Sequence, residues 1–387
     1  MLDFFTDVVR PESPQELAEA LGWAAVRQQT VQLGGRFSKR MMGGPIEPAN
    51  MTISTAGMCR VRQYEPRDLT ISVEAGLSYC ELSRLLAQHR QMLPLDPPFS
   101  QSATIGGIVA ANCSGPRRRL YGTARDMVIG MQFATLEGKL IESGGMVVKN
   151  VAGLDMAKLM IGSFGTLAAI AVVNFKVIPQ PPVERSFRLS FGCLDTAFAA
   201  RDAILKSPLD PSAIDLLNPA AVETEDSVYV LMVKAGGNSA AIARYERDLS
   251  AMGARPVPAG EEAAIWSAIQ EFTPRYLESH PDGAVVRVSC TLKELKAAVA
   301  SAPGAALARA GSGVCYAYFE RYGLAEAFAA EAAREFRGTV VEYAPESRKE
   351  EMHLWPAPGP DLEVMRRIKH MFDPHLLLNR GRLYRRI

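Results

Sequence analysis

The sequence holds little of what metal and redox centres need. Its six cysteines, Cys59, Cys80, Cys113, Cys193, Cys290 and Cys315, come no nearer than 21 residues to one another, so there is no C-x-x-C and no iron–sulfur spacing. Its five histidines, His89, His280, His353, His370 and His375, form no H-x-H or H-x-x-x-H pair, and no metal site is expected. Charge of one sign is also lacking. There are 43 basic against 42 acidic residues, a net +1, without the basic excess of a nucleic-acid binder. No apolar run reaches the roughly 18 residues of a membrane span. The opening "MLDFFTDVV" places Asp3 where a secretory signal would carry a base. A cytoplasmic protein with reduced thiols is expected. The phosphate-binding pattern G-x-x-x-x-G-K-[ST] is missing, and "GSGVCY" has Tyr316 where a dinucleotide fingerprint would need its third glycine.

What is present is ordinary globular material, 48% hydrophobic and 22% charged over 387 residues, long enough for two domains. Near the start, "SPQELAEALGWAAVRQ" opens a helix, with Ser13 as cap, Pro14 at the first position and Glu16 closing a capping box. A short strand, "TVQL", then runs into the glycine loop "GGRFSKRMMGG". "DLTISVEAG" alternates as a strand, and Ser78 with Glu81 caps the next helix. "DMVIGMQFATLEGKLIES" reads as a hairpin turning at "EGK". The segment 153–179 reads as a short helix, a glycine turn and a long apolar strand. The proline-rich "PQPPV" at 179–183 marks a domain boundary. Beyond it, strands alternate with Ala-rich helices in a β-α-β-β-α-β rhythm, as in a ferredoxin-like module. No internal repeat is evident. The basic runs "GPRRRLYG" (115–122) and "NRGRLYRRI" (379–387) read as solvated surface, with a docking surface as the alternative.

Three glycine-bearing stretches stand out before the boundary. In "LGGRFS", Gly34 and Gly35 allow a tight turn that brings backbone N–H groups toward an anion, and Ser38 adds a hydroxyl; a plain strand-ending turn would look the same. "SATIGGIVAANCSG" (102–115) gathers small side chains at Ala103, Gly106, Gly107, Ala110 and Ala111, with Thr104 and Asn112 as uncharged polar groups. That surface suits either close helix packing or the wall of a ligand. "IGSFGTLAAI" (161–170) is the third.

In order and spacing these stretches resemble the vanillyl-alcohol oxidase, or PCMH-type, flavoproteins, whose members carry GGGTS, then ATIGG with Asn or Ser beyond, then K-x-x-x-GYD-x-x-K-L-x-x-GSEGTLG. Here the elements are "GGRFS", "ATIGGIVAAN" and "KNVAGLDMAKLMIGSFGTLAAI", with Arg36, Phe37, Leu154 and Phe164 as substitutions in the pattern. The resemblance implies an α+β fold: a PCMH-type FAD-binding domain of two α/β subdomains over 1–180, and a smaller ferredoxin-like α+β cap domain over 181–345. Residues 346–387 would form a C-terminal helix and basic tail packing back on the FAD domain. It implies FAD, held without a covalent bond because the first loop has no histidine. Gly34, Gly35, Arg36, Phe37 and Ser38 would hold the pyrophosphate. Ala103, Thr104, Gly106, Gly107 and Asn112 would lie along the flavin, and Gly165 to Ile170 would add backbone contacts. Within the family the chain is most similar to the small FAD-binding subunits of bacterial glycolate oxidases. That likeness implies a larger flavin subunit and an iron–sulfur subunit as partners, a small 2-hydroxy acid as substrate, and any membrane association through those partners. A self-sufficient FAD-dependent hydroxy-acid oxidoreductase and a catalytically degenerate flavin-binding scaffold are the alternatives.

Oxidising a 2-hydroxy acid requires a base for the hydroxyl and a cation for the carboxylate, preferably arginine. Arg275 with Tyr276, Glu320 with Arg321, and His353 are candidates. Spacing singles out none of them, and no catalytic residue is assigned.

Overall fold

The computed structural model describes residues 8–147, 154–222, 228–384 and 387. The chain forms two compact units. The first draws on Met1–Ser114, Thr123–Gln180 and Ala357–Ile387, and the second on Gly115–Gly122 and Pro181–Pro356.

In the first unit, β1 (Val8–Val9), β2 (Val31–Gly34) and β3 (Met51–Ser54) make a parallel sheet in the order β1-β3-β2. The helix Pro14–Val26 links β1 to β2 and buries Leu17, Ala18, Leu21 and Ala24 on one face, the 3.6-residue spacing read from the sequence. Its Ser13 cap accepts the Glu16 N–H at 3.2 Å. The Glu16 carboxylate, however, takes the N–H of Glu12 at 2.9 Å rather than that of Ser13. The reciprocal capping box forms instead at Ser78 and Glu81, where the Ser78 hydroxyl holds the Glu81 carboxyl below its usual range.

A second sheet is antiparallel. It consists of β4 (Val61–Glu65), β5 (Thr70–Glu74), β7 (Val128–Ala134), β8 (Leu140–Gly144) and β9 (Ala169–Lys176), in the order β4-β5-β9-β7-β8; β6 (Gln91–Met92) pairs separately with β10 (Ile178–Pro179). The hairpin β7–β8 turns at Gly138, whose φ of +73° is the left-handed value such turns require.

The second unit is built on one eight-stranded antiparallel sheet. Its strands are β11 (Val183–Phe191), β12 (Ala213–Leu217), β13 (Tyr229–Gly237), β14 (Arg255–Pro256), β15 (Ala284–Ser289), β16 (Ala306–Arg309), β17 (Val314–Phe319) and β18 (Gly338–Tyr343). The order is β14-β11-β13-β12-β16-β17-β15-β18. Each half is a β-α-β-β-α-β module with its fourth, first, third and second strands in that spatial order, and the halves join along β12 and β16. The internal repeat missed in the sequence is therefore real at the level of topology. Period-2 burial and Ala-rich helices leave many sequences free to build the same module.

One face of this sheet packs under the helices, with Ile214, Leu216, Val286, Val288, Ala308 and Ala317 in the core. Alternation sends Asp215, Arg287, Arg309 and Tyr316 to the other face. There Arg309 pairs with Asp215, and Arg287 Nε lies 2.7 Å from Glu342 Oε1. Burial pushes the Tyr316 phenol up to about 12.

Candidate cofactor-binding site

The three glycine stretches, far apart in sequence, meet in the first unit. At the end of β2, Ser54 Oγ donates to the Gly35 carbonyl at 2.9 Å, which fixes the turn. A Cβ on Gly35 would fall 2.1 Å from Thr104 Oγ1, so only glycine lets the first loop touch the second. Phe37 adopts φ +53° and lays its ring where a Gly34 Cβ would be, 2.5 Å away. The backbone N–H groups of Arg36 and Ser38 donate to no acceptor among the described residues.

The second stretch forms the short helix Ile105–Ala110, capped by Thr104. It is sewn to the end of β5, with Gly106 N–H donating to Ala75 O at 2.8 Å and Ile105 N–H to Leu77 O at 2.9 Å. Its two glycines have different duties. A Cβ on Gly106 would strike Ala75 Cβ at 2.7 Å, whereas one on Gly107 would meet only Thr104 Oγ1, at 3.2 Å, before open space. The third stretch lies against that helix: Gly162 N–H reaches Val109 O at 3.1 Å and Phe164 N–H reaches Ala110 O at 2.9 Å. It closes on the first at Gly165 (φ +70°), whose Cβ would lie 3.2 Å from Leu33. The Lys149–Gly153 part of the motif lies outside the described residues, and Leu154 is exposed.

The C-terminal segment locks this triangle. Asn379 accepts from Leu33 N–H at 2.7 Å and donates to Leu33 O at 3.0 Å and Phe164 O at 2.7 Å. Lys369 donates to Thr166 O at 2.7 Å and pairs with buried Asp373 at 2.6 Å; burial draws its ammonium below the usual lysine value. Arg382, 8% exposed, donates to the carbonyls of Arg40, Met42 and Gly44. This corrects the reading of the basic tail as solvated surface: Arg382 is a buried clamp, and Arg380 pairs with Glu47. Arg385 and Arg386 lie outside the described residues. Of the other basic run, Arg119 is bound to Asp210 at 2.7 Å within the second unit.

A cavity of about 120 Å³ results. Gly34, Gly35, Arg36, Phe37, Ser38, Thr104, Gly106, Gly107, Gly165 and Ile170 all line it. Ala103 does not: it is fully buried, its carbonyl accepting from Tyr79 N–H. Asn112 sits outside, at φ +49° just past the helix. Gln32, Arg40, Asn379 and Arg382, not singled out in the sequence, line it as well. Only Gln32 carried a usable signal, an amide at an inward strand position two residues before the glycine pair.

The lining contains Arg36, Lys39, Arg40 and Arg382 and no carboxylate. Buried Gln32 Nε2 has no hydrogen-bond partner, a costly state unless a ligand acceptor meets it. Alternating with these groups, Gly107, Ala110, Ala111, Ala168 and Ile170 offer a flat, small-residue wall. Cations and free N–H groups suit a diphosphate, and the flat wall suits a ring system. The residues present fit FAD.

Comparison with known proteins agrees. Residues 6–144 match the family described as FAD binding domain. In fold the chain is similar to alkyldihydroxyacetonephosphate synthase (TM-score 0.73, 20% identity, covering 96% of this chain and 76% of that one) and to 4-ethylphenol oxidase from Gulosibacter chungangensis (TM-score 0.71, 14% identity, 97% and 88%). Residues 6–144 thus match an FAD-binding domain, and the fold of the chain is that of these two solved structures.

Among curated relatives, it is 35% identical to glycolate oxidase subunit GlcE of Escherichia coli over 45% of this chain and 49% of that one. It is 25% identical to glycolate oxidase subunit GlcD of Bacillus subtilis over 57% and 47%. D-2-hydroxyglutarate dehydrogenase of Xanthomonas citri pv. viticola matches at 25% over 97% and 89%. The chain thus spans about half the length of the two glycolate oxidase subunits.

Of the catalytic candidates, Arg275, Tyr276 and Glu320 line one cavity in the second unit together with His280. Arg321 does not line it, and the His353 N–H is taken up by Glu326 at 2.8 Å. No helix among the described residues is long and apolar enough to cross a membrane.

Proposed function

We propose that this chain is the FAD-binding subunit of a multi-subunit hydroxy-acid oxidase or dehydrogenase of the glycolate oxidase kind. It would pass electrons from a small 2-hydroxy acid through its flavin to an iron–sulfur partner, with a larger flavin subunit beside it. The observation that carries this is the carboxylate-free, three-loop cavity with its orphaned Gln32 amide. The matches to GlcE and GlcD support the hydroxy-acid and subunit parts.

Bound FAD supplies the hydride-accepting chemistry, and the chain supplies binding and orientation. The Arg36 side chain and the backbone N–H groups of Arg36 and Ser38 hold the diphosphate, with Gly34, Gly35 and Phe37 shaping the loop. Thr104, Gly106 and Gly107 flank the ring, Gly165 to Ile170 add backbone contacts, and Gln32 meets a ligand acceptor. Ala103 and Asn112 frame the helix from either end. Among the lining residues there is no histidine, cysteine or tyrosine whose nucleophilic atom would bond the ring, which favours noncovalent binding.

A second reading, a self-sufficient enzyme, draws support from the near full-length match to D-2-hydroxyglutarate dehydrogenase. Purification with visible absorbance spectroscopy separates the readings. A yellow protein that glycolate reduces only when the partner subunits are co-expressed supports the first. Reduction of the isolated chain by a hydroxy acid supports the second. A yellow protein inert in both settings points to a scaffold, and a colourless protein that takes up no added FAD rules out all three.

A further inference from the structure

The cavity in the second unit, about 690 Å³ and open to solvent, lies along the helix Phe272–Ser279 at the end of β17. Phe272 meets Tyr318 edge-on at 4.7 Å, Tyr276 tilts onto Tyr318 at 5.1 Å, and His280 stacks on Tyr276 at 4.3 Å. The result is a continuous aromatic surface. Thr273 occupies the Tyr318 hydroxyl at 2.9 Å. Among the described residues, the half-buried Tyr276 hydroxyl has no hydrogen-bond partner, and the Arg275 guanidinium has neither a carboxylate nor a carbonyl partner.

His280 Nδ1 lies 2.9 Å from the Tyr276 carbonyl. That contact makes Nδ1 the protonated nitrogen of the neutral ring and leaves Nε2 as acceptor. Nε2 is 3.9 Å from Glu320 Oε1, on a side chain 77% exposed at the mouth. The cavity therefore offers a forked cation, a phenol donor beside an imidazole acceptor, an aromatic floor and one anion at its rim.

We propose that this cavity binds a small 2-hydroxy monocarboxylic acid with an aromatic or branched apolar side chain. Arg275 takes the carboxylate through two parallel N–H groups. Tyr276 and His280 take the hydroxyl, and Phe272 with Tyr318 carries the apolar part. Glu320 repels a second carboxylate and so selects against dicarboxylic acids. The 2-hydroxyl assignment accords with the hydroxy-acid reading above, but no residue of the FAD cavity takes part.

Isothermal titration of the full chain, with and without added FAD, tests this using 3-phenyllactate, glycolate and malate. Phenyllactate is expected to bind at least about tenfold more tightly than either of the others, since only it fills the aromatic floor. Arg275→Gln, at an exposed position that leaves the fold intact, should weaken it at least about tenfold, and Tyr276→Phe about threefold. Ala305→Phe, which fills the cavity, should abolish binding while the circular dichroism spectrum stays native. Glycolate or malate binding as tightly as phenyllactate, or uptake unchanged by both Arg275→Gln and Ala305→Phe, would overturn the proposal. So would no uptake of phenyllactate at all. A colourless protein that still binds phenyllactate sinks the flavin reading and keeps this one; a yellow protein that binds none does the reverse.

Discussion

In the first unit the segments that wall the cavity meet at glycines, with cations beside them: Gly35 against Thr104, Gly106 against Ala75, Gly165 against Leu33. In the second unit the cavity wall is rings and long polar side chains, Phe272, Tyr276, Tyr318 and Arg275. A wall of backbone admits a large flat ligand closely, but it needs glycine wherever two chain segments touch and distant ties to hold the loops. A wall of side chains needs neither, and its specificity rests on a few polar tips. Beyond their apolar cores the two units are also held differently: the first by hydrogen bonds from a C-terminal segment, the second by paired charges on one face of its sheet.

The largest expected effect tests that paired-charge face. Asp215→Ala leaves the Arg309 guanidinium buried without its carboxylate and should cost about 3–5 kcal/mol of unfolding free energy, read by urea titration, with the flavin content of the folded fraction unaltered. Gly107→Leu tests the backbone wall. Its side chain has open space only toward the cavity, so FAD affinity should fall at least about 100-fold, about 2.7 kcal/mol, while the apoprotein is as stable or more so because leucine is the better helix former. Normal FAD content in that variant would refute the mapping. Gly106→Leu should do the opposite and destabilise the fold, by about 1–3 kcal/mol, because its Cβ meets Ala75.

Asn379→Ala should cost about 1–3 kcal/mol, read both as a lower Tm and as weaker FAD binding, since it unties Leu33 from Phe164. An unchanged FAD affinity would show that the C-terminal tie is not needed by the site. The smallest effect is on thiol reactivity. Hydrogen bonding to Thr196 lowers the Cys193 thiol, whereas burial raises Cys290 to about 11 and Cys315 to about 12. At pH 8 only about a thousandth of Cys290 is thiolate, so iodoacetamide followed by mass spectrometry should label Cys193 well ahead of Cys290. Cys315 should react only on unfolding.

Local signals carried the elements well. The Ser13 and Ser78 caps, the hairpin turning at Gly138 and the strand into Gly34 are set by side chains within a few residues of each other, so they were legible in order along the chain. The doubling of the β-α-β-β-α-β module was not, because it shows in strand order rather than in residue identity. Nor were Asn379 and Arg382 as parts of the site: an asparagine and an arginine in a basic tail look solvated until the chain returns more than 300 residues later to β2 and the 39–44 loop.

By itself, then, the sequence determined where glycine would be indispensable and which stretches could approach a ligand without side chains in the way, because a missing Cβ is a property of one position. It also determined the net charge and the lack of clustered metal ligands. Only the tertiary structure decided that the three stretches close into one cavity, that Gly107 has room for a side chain there while Gly106 is pressed against Ala75, and that Ala103 and Asn112 stand aside. It also gathered Arg275, Tyr276, His280 and Glu320 around a second cavity. Those outcomes depend on contacts between residues tens to hundreds of positions apart, and no local propensity encodes them.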